Sequence, residues 1–292
     1  MEMTTTELFA WKPLYIIPVG DIQLGADGVD VEALKEDIKR GMDLHNAGEQ
    51  VRFIGLGDYV DADSPSGRQK TKAAGFYDSH MAALDEVAEI RIGELLRYFR
   101  KTTGLWLGIH HGHHYHDFGD GTITDTRLAG HLGAKYLKTT AITRIRFQRT
   151  GRSGSGGSTI TTDVYSQHGS GGGQTQAAPI NRLERLSGGI DADLYLTNHS
   201  ARRGVVPRDK LFMSNSGKLR AKTIQMMMTG GYMKAYSEGA GRIEAGYVEK
   251  AGMTPTSIGG GIAKLIPVRK TPRNPDTGKQ EEILSVKIEV TV

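Results

Sequence analysis

The chain has 292 residues, of which 38% are hydrophobic, and a formal net charge of +4. This length is enough to bury a sizeable core and suits one large α/β domain with elaborations. No segment approaches the roughly 20 apolar residues that a membrane helix needs, and no signal pattern precedes the first apolar run. Absence of cysteine excludes disulfides and thiolate metal sites. We expect a cytoplasmic protein with no membrane partner.

In the first part of the chain, strands and helices alternate. Residues 1–11 are expected to be a loosely held leader, and residues 63–75 an irregular polar loop that helps shape a substrate site. The predicted elements are a strand over 14–19, a helix from an Asp30 cap to about 45, a strand over 51–56, a helix over about 77–101 and a strand over 105–109. This alternation predicts parallel βαβ units.

The later part is predicted to be rich in β-strands. A short helix over 125–132, closed by Gly133, precedes two strands that form an antiparallel hairpin around a Gly/Ser tract at 151–158. The predicted elements are strands over 141–148 and 159–167, a helix over 179–186, and strands over 193–196, 223–229, 262–268 and 283–292. We expect a single domain over 1–292, with a motif-bearing core at 12–201 and a basic, β-rich completion at 202–292.

Polar side chains with lone pairs closely follow five of the predicted strands. They are Asp21, Asp58, the pair His113 and His114, His168, and His199. Because ligand sites form at the carboxyl ends of strands in α/β sheets, we expect these side chains to converge. A carboxylate that can bridge two divalent ions, together with several imidazoles, is a suitable ligand set for a two-metal site. Asp58 is the candidate for the bridge.

A run of histidines follows the strand at 105–109. It contains half of the chain's ten histidines, namely His110, His111, His113, His114 and His116. An accidental cluster resembling a purification tag is the competing interpretation. The position of the run inside the chain, at the end of a strand, favours a metal-binding tract.

A basic stretch lies at 201–222, where seven cations face the single acid Asp209. The cations are Arg202, Arg203, Arg208, Lys210, Lys218, Arg220 and Lys222. The stretch favours a phosphate-rich partner, and a solvated surface loop is an equally weighted alternative. Arg202 and Arg203 are the candidate substrate-binding residues because cations beside a metal site would hold flanking phosphates.

The order of these motifs resembles the calcineurin-like metallophosphoesterases, especially members carried by bacteriophages and prophages. The resemblance spans about residues 14–201, and its most specific part is Gly57-Asp58-Tyr59-Val60-Asp61. The other matching segments are Asp21-Ile22-Gln23, Gly112-His113-His114-Tyr115, His168-Gly169 and Asn198-His199-Ser200-Ala201. The resemblance implies a four-layer α/β/β/α sandwich and, if the gene is phage-borne, a place in the host cytoplasm.

The same resemblance implies a role for each site residue. Asp21 would bind a first metal, Asp58 would bridge, and His113, His168 and His199 would hold a second. His114 would be the catalytic imidazole beside the leaving group, and Asp61 would brace its loop. The implied cofactors are two divalent ions, Mn²⁺ first, with Mg²⁺, Zn²⁺ or Fe as alternatives. The implied activity is hydrolysis of a phosphoester by metal-activated water, with a phosphodiesterase or nuclease slightly favoured over a phosphomonoesterase and nucleic acid as a possible partner.

Three departures from the family pattern keep other functions open. Gln23 replaces a histidine, His113 replaces an asparagine, and Ala201 replaces a second histidine. Gln23 still offers an oxygen, and His110, His111, His116 or Asp61 are possible substitutes for the missing ligands. The segment around His110 and His111 is also a rival match for the third motif. One alternative is a catalytically degenerate binding or assembly module, and another is a mononuclear hydrolase with one zinc held by His113, His168 and His199.

Overall fold

Two six-stranded β-sheets form the centre of the protein. A computed structural model describes residues 1–76, 78–149, 158–171, 175–214, 217–236, 247–250, 252, 254–273, 278, 280 and 282–292, without the side chains of 5–7, 247 and 248. The strands are β1 (Glu2–Ala10), β2 (Leu14–Val19), β3 (Gln50–Gly55), β4 (Trp106–His110), β5 (Tyr136–Lys138), β6 (Thr140–Gln148), β7 (Thr159–Gln167), β8 (Leu194–Thr197), β9 (Gly204–Met213), β10 (Leu219–Met228), β11 (Ile262–Lys270) and β12 (Ile283–Thr291). The helices are α1 (Val31–Asn46), α2 (Pro65–Ala74), α3 (Asp78–Phe99), α4 (Thr124–Leu132), α5 (Ala177–Gly189) and α6 (Tyr247–Lys250), with a 3₁₀ turn at Arg100–Thr102.

The strand order is β12-β11-β2-β3-β4-β5 in one sheet and β1-β6-β7-β8-β10-β9 in the other. β2, β3 and β4 pair in parallel, as the predicted βαβ units require. β6 and β7 form the predicted antiparallel pair. Residues 150–157, which hold most of the Gly/Ser tract predicted at 151–158, lie outside the described residues. β11 and β12 extend the first sheet beyond β2, so the tail completes a sheet begun at the N-terminus.

The two sheets pack face to face because side chains alternate between the faces of each strand. In β2, Leu14 and Ile16 belong to the core between the sheets, where they join Phe147 and Leu194 from the other sheet. Ile17, on the opposite face of β2, belongs to the core beneath the helices. The site-bearing strands are therefore fixed from both sides.

Helices cover the outer face of each sheet. Leu34 of α1, Leu95 of α3 and Leu128 of α4 pack into one core with the β2-β3-β4 face. On the other sheet, Leu183 of α5 packs with Tyr195. The predicted four-layer α/β/β/α architecture is confirmed. Among the described residues, no helix is both long and apolar enough to cross a membrane.

Two predicted irregular segments are regular in the structure. The expected leader at 1–11 is wrong, because β1 pairs in parallel with β6 and Thr4 Oγ1 donates to Thr143 Oγ1 at 3.0 Å. The expected loop at 63–75 is largely helix α2. Ser64 caps it by accepting from the Gly67 N–H, and Gly75 ends it at φ +61°. No residue of α2 is buried, so it lacks the apolar periodicity that reveals a helix.

The basic stretch at 201–222 is mostly the antiparallel hairpin β9–β10 rather than a loop. Several of its cations have acidic or polar partners near the end of α5. Lys222 Nζ lies 3.0 Å from Asp193 and 3.3 Å from Asp191, and Arg208 Nη1 donates to Ser187 Oγ at 2.9 Å. These contacts tie the hairpin to the body of the protein, which weakens the case that the whole stretch binds phosphates.

Candidate metal centre

The polar residues that follow β2, β3, β4, β7 and β8 meet at one edge of the two sheets. Asp21 N donates to Gly57 O at 2.9 Å, and Gln23 N donates to Asp58 O at 3.0 Å, which joins the loop after β2 to the loop after β3. Asn198 N donates to His168 O at 2.9 Å and joins the loops after β7 and β8 in the same way. Backbone hydrogen bonds alone therefore hold these loops next to each other.

Two glycines let the loop after β3 cross the loop after β4. A Cβ on Gly112 would lie 2.1 Å from Asp58 N and 2.2 Å from Asp58 Oδ1, and a Cβ on Gly57 would lie 2.7 Å from Gly112 Cα. Gly57 also has a φ of +95°, which side-chain-bearing residues rarely adopt. The glycines before Asp58 and His113 are therefore required by close backbone approach.

The converging side chains form two overlapping groups of potential metal ligands. One group is His113, His168 and His199, and the other is Asp21, Asp58 and His168. Within each group, the ligand atoms all lie within 4.8 Å of one another. His168 belongs to both groups, so the cluster is continuous. It brings together five of the six predicted metal ligands, with Gln23 beside them in the chain.

Hydrogen bonds orient the histidine rings of the cluster. His168 Nδ1 lies 2.7 Å from Leu56 O, which can only accept, so this nitrogen carries a proton and Nε2 faces the cluster. His199 Nδ1 lies 3.2 Å from His168 Nε2 and 3.2 Å from His113 Nδ1. Three ring nitrogens thus converge, each within 3.2 Å of another.

The Asp58 carboxylate is fixed by both of its oxygens. Oδ1 accepts the backbone N–H groups of His113 at 2.5 Å and His114 at 2.8 Å, and Oδ2 lies 3.3 Å from His168 Nε2. Burial acts to raise the pKa of Asp58, but the hydrogen bond to His168 and the backbone N–H of His114 hold it well below its usual range. Asp58 is therefore a carboxylate at neutral pH.

The histidines of the cluster differ in charge when no cation is bound. Burial lowers the pKa of His199 to about 4, with a further contribution from the charge of His168, and it also lowers the pKa of His113. Burial acts in the same direction on His168, but the hydrogen bond to Asp58 and the charge of Asp21 raise its pKa to about 9. His113 and His199 are thus neutral, whereas His168 must release a proton before Nε2 can bind a cation.

The surroundings of Asp21 fit a bound cation. Its Oδ2 is buried without a hydrogen-bond partner among the described residues. Burial raises the pKa of this carboxyl group to about 7, against the attraction of His168. A buried carboxylate oxygen without a partner is costly, and divalent cations satisfy such oxygens in proteins. The donor set of carboxylates and imidazoles suits Mn²⁺, Zn²⁺ or Fe.

Several site residues have a left-handed backbone conformation. Among the described residues, six that are not glycine have positive φ, and five of these lie at the cluster: Asp21, Gln23, Asp58, His199 and Ala201. Each such conformation costs about 1 to 3 kcal/mol and persists where the surrounding structure enforces it. Strain of this kind is concentrated at functional sites, which supports the assignment of this edge as the site.

His114 lies next to the cluster but outside both ligand groups. Its Nδ1 is 2.8 Å from Ala62 O, so Nδ1 donates and Nε2 is the nitrogen that can exchange a proton. Arg68 of α2 fixes the same loop by donating to His113 O at 2.9 Å and to Tyr115 O at 3.2 Å. Its guanidinium also stacks 3.6 Å from the centre of the Tyr115 ring. Helix α2 is therefore attached directly to the loop that carries His113 and His114.

The other histidines of the run have partners of their own. His110 is fully buried in β4, with Nδ1 3.1 Å from Lys138 O and Nε2 2.7 Å from Ser166 Oγ. His111 Nδ1 lies 3.2 Å from Tyr136 Oη, and His116 Nε2 lies 2.6 Å from Asp85 Oδ1. Both ring nitrogens of His110 are therefore used within the fold, which favours the match at His113 and His114 over the rival match around His110. None of the three belongs to a ligand group, and neither does Asp61.

Replacing Ser166 with alanine tests this structural role of His110. The change removes the partner of His110 Nε2, and a buried group left without its partner costs about 1 to 3 kcal/mol. We expect the free energy of unfolding, measured in urea, to fall by this amount. Metal content should stay at the wild-type value, and a loss of metal without a loss of stability would contradict the assignment.

The remaining predicted residues flank the cluster. Gln23 is half-buried, and its backbone N–H donates to the backbone carbonyl of Asp58. Arg202 donates from Nη2 to Thr254 Oγ1, and Arg203 is exposed, with its carbonyl accepting from Gln176 Nε2 at 2.8 Å. Metal binding by Gln23 and substrate binding by Arg202 and Arg203 stay predictions.

Two buried polar residues, Tyr59 and Asn198, belong to the candidate metal centre although the spacing of the motifs does not predict them. Tyr59 Oη accepts from Gly57 N at 2.9 Å and donates to His110 O at 3.1 Å, which ties the loop after β3 to the end of β4. Asn198 is only 3% exposed, and neither atom of its side-chain amide has a hydrogen-bond partner among the described residues. In the sequence, the position of Asn198 directly before the candidate ligand His199 is the feature that could have indicated it.

Comparisons with known proteins add little to this description. No protein-family model matches the sequence, and no curated protein matches it. Among solved structures, wild-type Vps29 from Entamoeba histolytica, complexed with Zn²⁺, is similar over 95% of this chain and 98% of that chain. The sequence identity is 11% and the TM-score is 0.31. This similarity is too low to assign a chemistry, so the function of the protein has to be inferred from its own residues.

Proposed function

We propose that the protein is a metal-dependent phosphoesterase whose divalent ions, two in number and Mn²⁺ by preference, are bound by Asp21, Gln23, Asp58, His113, His168 and His199. The observation that carries this function is the convergence of two adjoining ligand groups, His113 with His199 and Asp21 with Asp58, around His168 Nε2 at the carboxyl ends of the strands. The buried, unpartnered Oδ2 of Asp21 supports it further. Asp58, with one oxygen towards each of two neighbouring segments, is proposed as the bridging ligand.

Divalent ions held by these residues would bind phosphate oxygens and would lower the pKa of a water molecule for attack on phosphorus. The protein itself supplies neutral imidazoles at His113 and His199 and an ionised carboxylate at Asp58. Hydrogen bonds to backbone groups fix two of the ligands in advance: the His114 N–H donates to Asp58, and the Leu56 carbonyl accepts from His168. Arg202 and Arg203 follow His199 in the chain, and they are proposed to hold phosphates that flank the cleaved bond, which favours a phosphodiester slightly.

His114 is proposed to donate a proton to the leaving oxygen from Nε2. The Ala62 carbonyl fixes the ring through Nδ1 and leaves Nε2 to exchange a proton, and the backbone N–H of the same residue donates to Asp58. General acid catalysis of this kind contributes about 10²- to 10⁴-fold to a rate. We therefore expect His114→Ala to lower kcat by that factor while bound metal is retained.

The assay uses protein stripped with EDTA and reloaded with Mn²⁺, Mg²⁺ or Zn²⁺. Substrates are bis-p-nitrophenyl phosphate, p-nitrophenyl phosphate and single-stranded DNA, with the exposed His45→Ala as the matched control. Because p-nitrophenolate leaves without a proton, His114→Ala should slow its release less than it slows cleavage of DNA. Equal losses for both leaving groups would contradict the proton-donor role. No turnover with any ion would contradict the phosphoesterase function.

One specific observation favours a second candidate function. His113, His168 and His199 form a complete three-histidine group, whereas the Asp21 group lacks the histidines that Gln23 and Ala201 replace. Three histidines with an open position are typical of a mononuclear zinc hydrolase. One tightly bound zinc per chain, with hydrolysis of esters that lack phosphorus, would identify this function, and one metal without any turnover would identify a binding module.

A further inference from the structure

The free end of the β9–β10 hairpin extends beyond the strand next to it. β8 pairs with β10 at residues 225–228, whereas β9 and β10 pair with each other as far as Met213 and Leu219. The six cross-strand pairs from Arg208 with Ile224 to Met213 with Leu219 therefore lie past the amino end of β8, over about 17 Å at about 3.3 Å per residue. The candidate metal centre follows the carboxyl end of β8, so it lies at the opposite end of the sheet from the free end of the hairpin.

The free end of the hairpin exposes large apolar side chains on both of its faces. Leu211, Met213 and Leu219 are 71%, 64% and 65% exposed. They share one face, because side chains alternate along a strand and Met213 lies directly opposite Leu219. Phe212, which is 40% exposed, lies on the other face. These four side chains are called the apolar tip. Exposed apolar side chains in a cluster mark a contact with a protein or a membrane.

Cations border the apolar tip. Residues 210–222 contain no Asp or Glu and four cations, Lys210, Lys218, Arg220 and Lys222. Lys222 Nζ lies 3.0 Å from Asp193, and Lys210 Nζ lies 3.8 Å from Asp191. These two acids balance part of the positive charge and leave an excess of it. Lys222 Nζ also lies 5.9 Å from the centre of the Phe212 ring, so the charge is next to the tip. The end of the hairpin therefore complements a surface that is apolar within and anionic at its boundary.

We propose that the β9–β10 hairpin binds the surface of a membrane containing anionic lipids, with the apolar tip between the headgroups and the acyl chains. A bilayer surrounds an inserted tip and covers both of its faces, whereas a second copy or another protein packed on one face leaves the other exposed. Nucleic acid would attract the cations but would place phosphates against four apolar side chains. Membrane attachment of this kind combines burial of apolar area with attraction to anionic headgroups.

This attachment goes beyond the proposed phosphoesterase function and does not rest on it. It replaces the sequence-based expectation that the protein has no membrane partner. It also accounts for the basic stretch at 201–222, whose predicted phosphate-rich partner would be the lipid headgroups. Because the metal centre lies at the other end of the sheet, an attached protein would keep that site open to solution.

The measurement is sedimentation of the EDTA-treated full chain with vesicles of phosphatidylcholine alone or with about 30% phosphatidylserine. We expect the anionic vesicles to bind the protein at least about fivefold more tightly, because each cation near an anionic surface contributes about that factor. Binding should weaken between about 0.1 M and 1 M salt, as the screening length falls from about 10 Å to 3 Å. No binding to anionic vesicles at the lower salt concentration would overturn the proposal.

Paired variants test the apolar tip. Leu211→Ser with Met213→Ser removes two of its side chains, and Val87→Ser with Ile90→Ser removes two that are 52% and 51% exposed on α3. The tip variant should bind anionic vesicles about tenfold or more weakly, because it loses apolar area that enters the bilayer, and the α3 variant should bind as the wild type does. Equal losses in the two variants would contradict insertion of the tip.

A fluorescence measurement keeps the test independent of the folding of the double variant. Brominated phosphatidylcholine in the anionic vesicles should quench the tryptophan introduced by Phe212→Trp and spare the one introduced by Val87→Trp. Equal quenching of the two, or none, would overturn the proposal. Circular dichroism checks that each variant is folded.

A second pair of variants tests the charge. Arg220→Gln should weaken binding to anionic vesicles about fivefold, whereas Arg100→Gln, at an exposed position in the 3₁₀ turn after α3, should leave it unchanged. Equal effects of the two variants would contradict the role of the hairpin cations.

The other occupants are outcomes of the same set of experiments. A dimer in sedimentation velocity that Leu211→Ser with Met213→Ser dissociates, without vesicle binding, would overturn the proposal and assign the tip to a second copy. Single-stranded DNA binding that Arg220→Gln weakens and the tip variant retains, without vesicle binding, would overturn it in favour of nucleic acid.

Discussion

His168→Ala is expected to lower the metal content more than the loss of any other single ligand and to abolish phosphoester hydrolysis. His168 is the member common to the two groups, whereas His113 belongs to one and Asp21 to the other. Loss of a hydrogen-bond partner of a ligand already weakens metal binding by about 10- to 100-fold. His168→Ala removes a direct ligand of one ion, and the neighbouring ion shares the proposed bridge Asp58 with it, so the loss should exceed about 100-fold. The measurement is metal content per chain after dialysis against Mn²⁺ or Zn²⁺, together with turnover.

Single-group variants sharpen this test. His113→Ala should retain metal at the Asp21 group, and Asp21→Ala should retain metal at the three-histidine group, so both should keep more metal than His168→Ala. His131→Ala is the matched control, since His131 is exposed on α4. His168→Gln covers the case in which the alanine variant does not fold. Wild-type metal content in a folded His168 variant would contradict the shared-ligand arrangement.

Gly112→Ala is expected to disrupt both the stability and the metal site of the protein. The added Cβ would lie 2.1 Å from Asp58 N, and the backbone of the loop after β3 cannot yield as a flexible side chain would. Forcing atoms into a packed region costs about 1 to 3 kcal/mol and sometimes more, and we expect the upper end of that range. Urea unfolding measures the loss of stability, and metal content measures the displacement of Asp58.

Gly130→Ala is the matched control for Gly112→Ala. Gly130 is exposed in helix α4, and a Cβ there would meet no atom within 4 Å. Because alanine is the better helix former, the control should be neutral or more stable by up to about 1 kcal/mol. Similar stabilities of the two variants would show that the loops after β3 and β4 do not cross as closely as described.

The sequence was sufficient to predict the elements that carry the site. β2 and β3 are continuous apolar runs that end just before Asp21 and Asp58, and the structure confirms both. α1 has a capping aspartate, Asp30, whose side chain accepts from Ala33 N. Each of these elements has a strong local signal, because it is buried on one or both faces. The four layers followed from the resemblance and from this order of elements.

Elements without an apolar pattern could not be predicted in the same way. β1 is stabilised by pairing with β6, more than 130 residues away, so its own residues carry little signal. α2 buries no residue, and only its capping residues, Ser64 and Gly75, indicate a helix. β9 lies at the edge of its sheet and is largely exposed. In each case tertiary pairing or capping decided the structure, and hydrophobic periodicity did not.

The histidine run shows the same limit at the site. Sequence spacing favoured His113 and His114 over His110, and the structure places His113 in a ligand group and His110 in the fold interior. The spacing could not show that Ser166, on another sheet, is the partner of His110. It also could not show that Gly112 must pass within contact of Asp58. Both facts depend on how the two sheets are placed against each other.

The left-handed backbone at Asp21, Gln23, Asp58, His199 and Ala201 has a consequence for the thermodynamics of ligand capture. The conformational entropy of these loops is already lost when the chain folds, so a cation or substrate does not have to order them. Association should therefore proceed with little loss of chain flexibility and with little movement of the loops between free and bound protein. The entropy of ordering the site is lost on folding and not on binding, so the binding free energy of the ligand is more favourable.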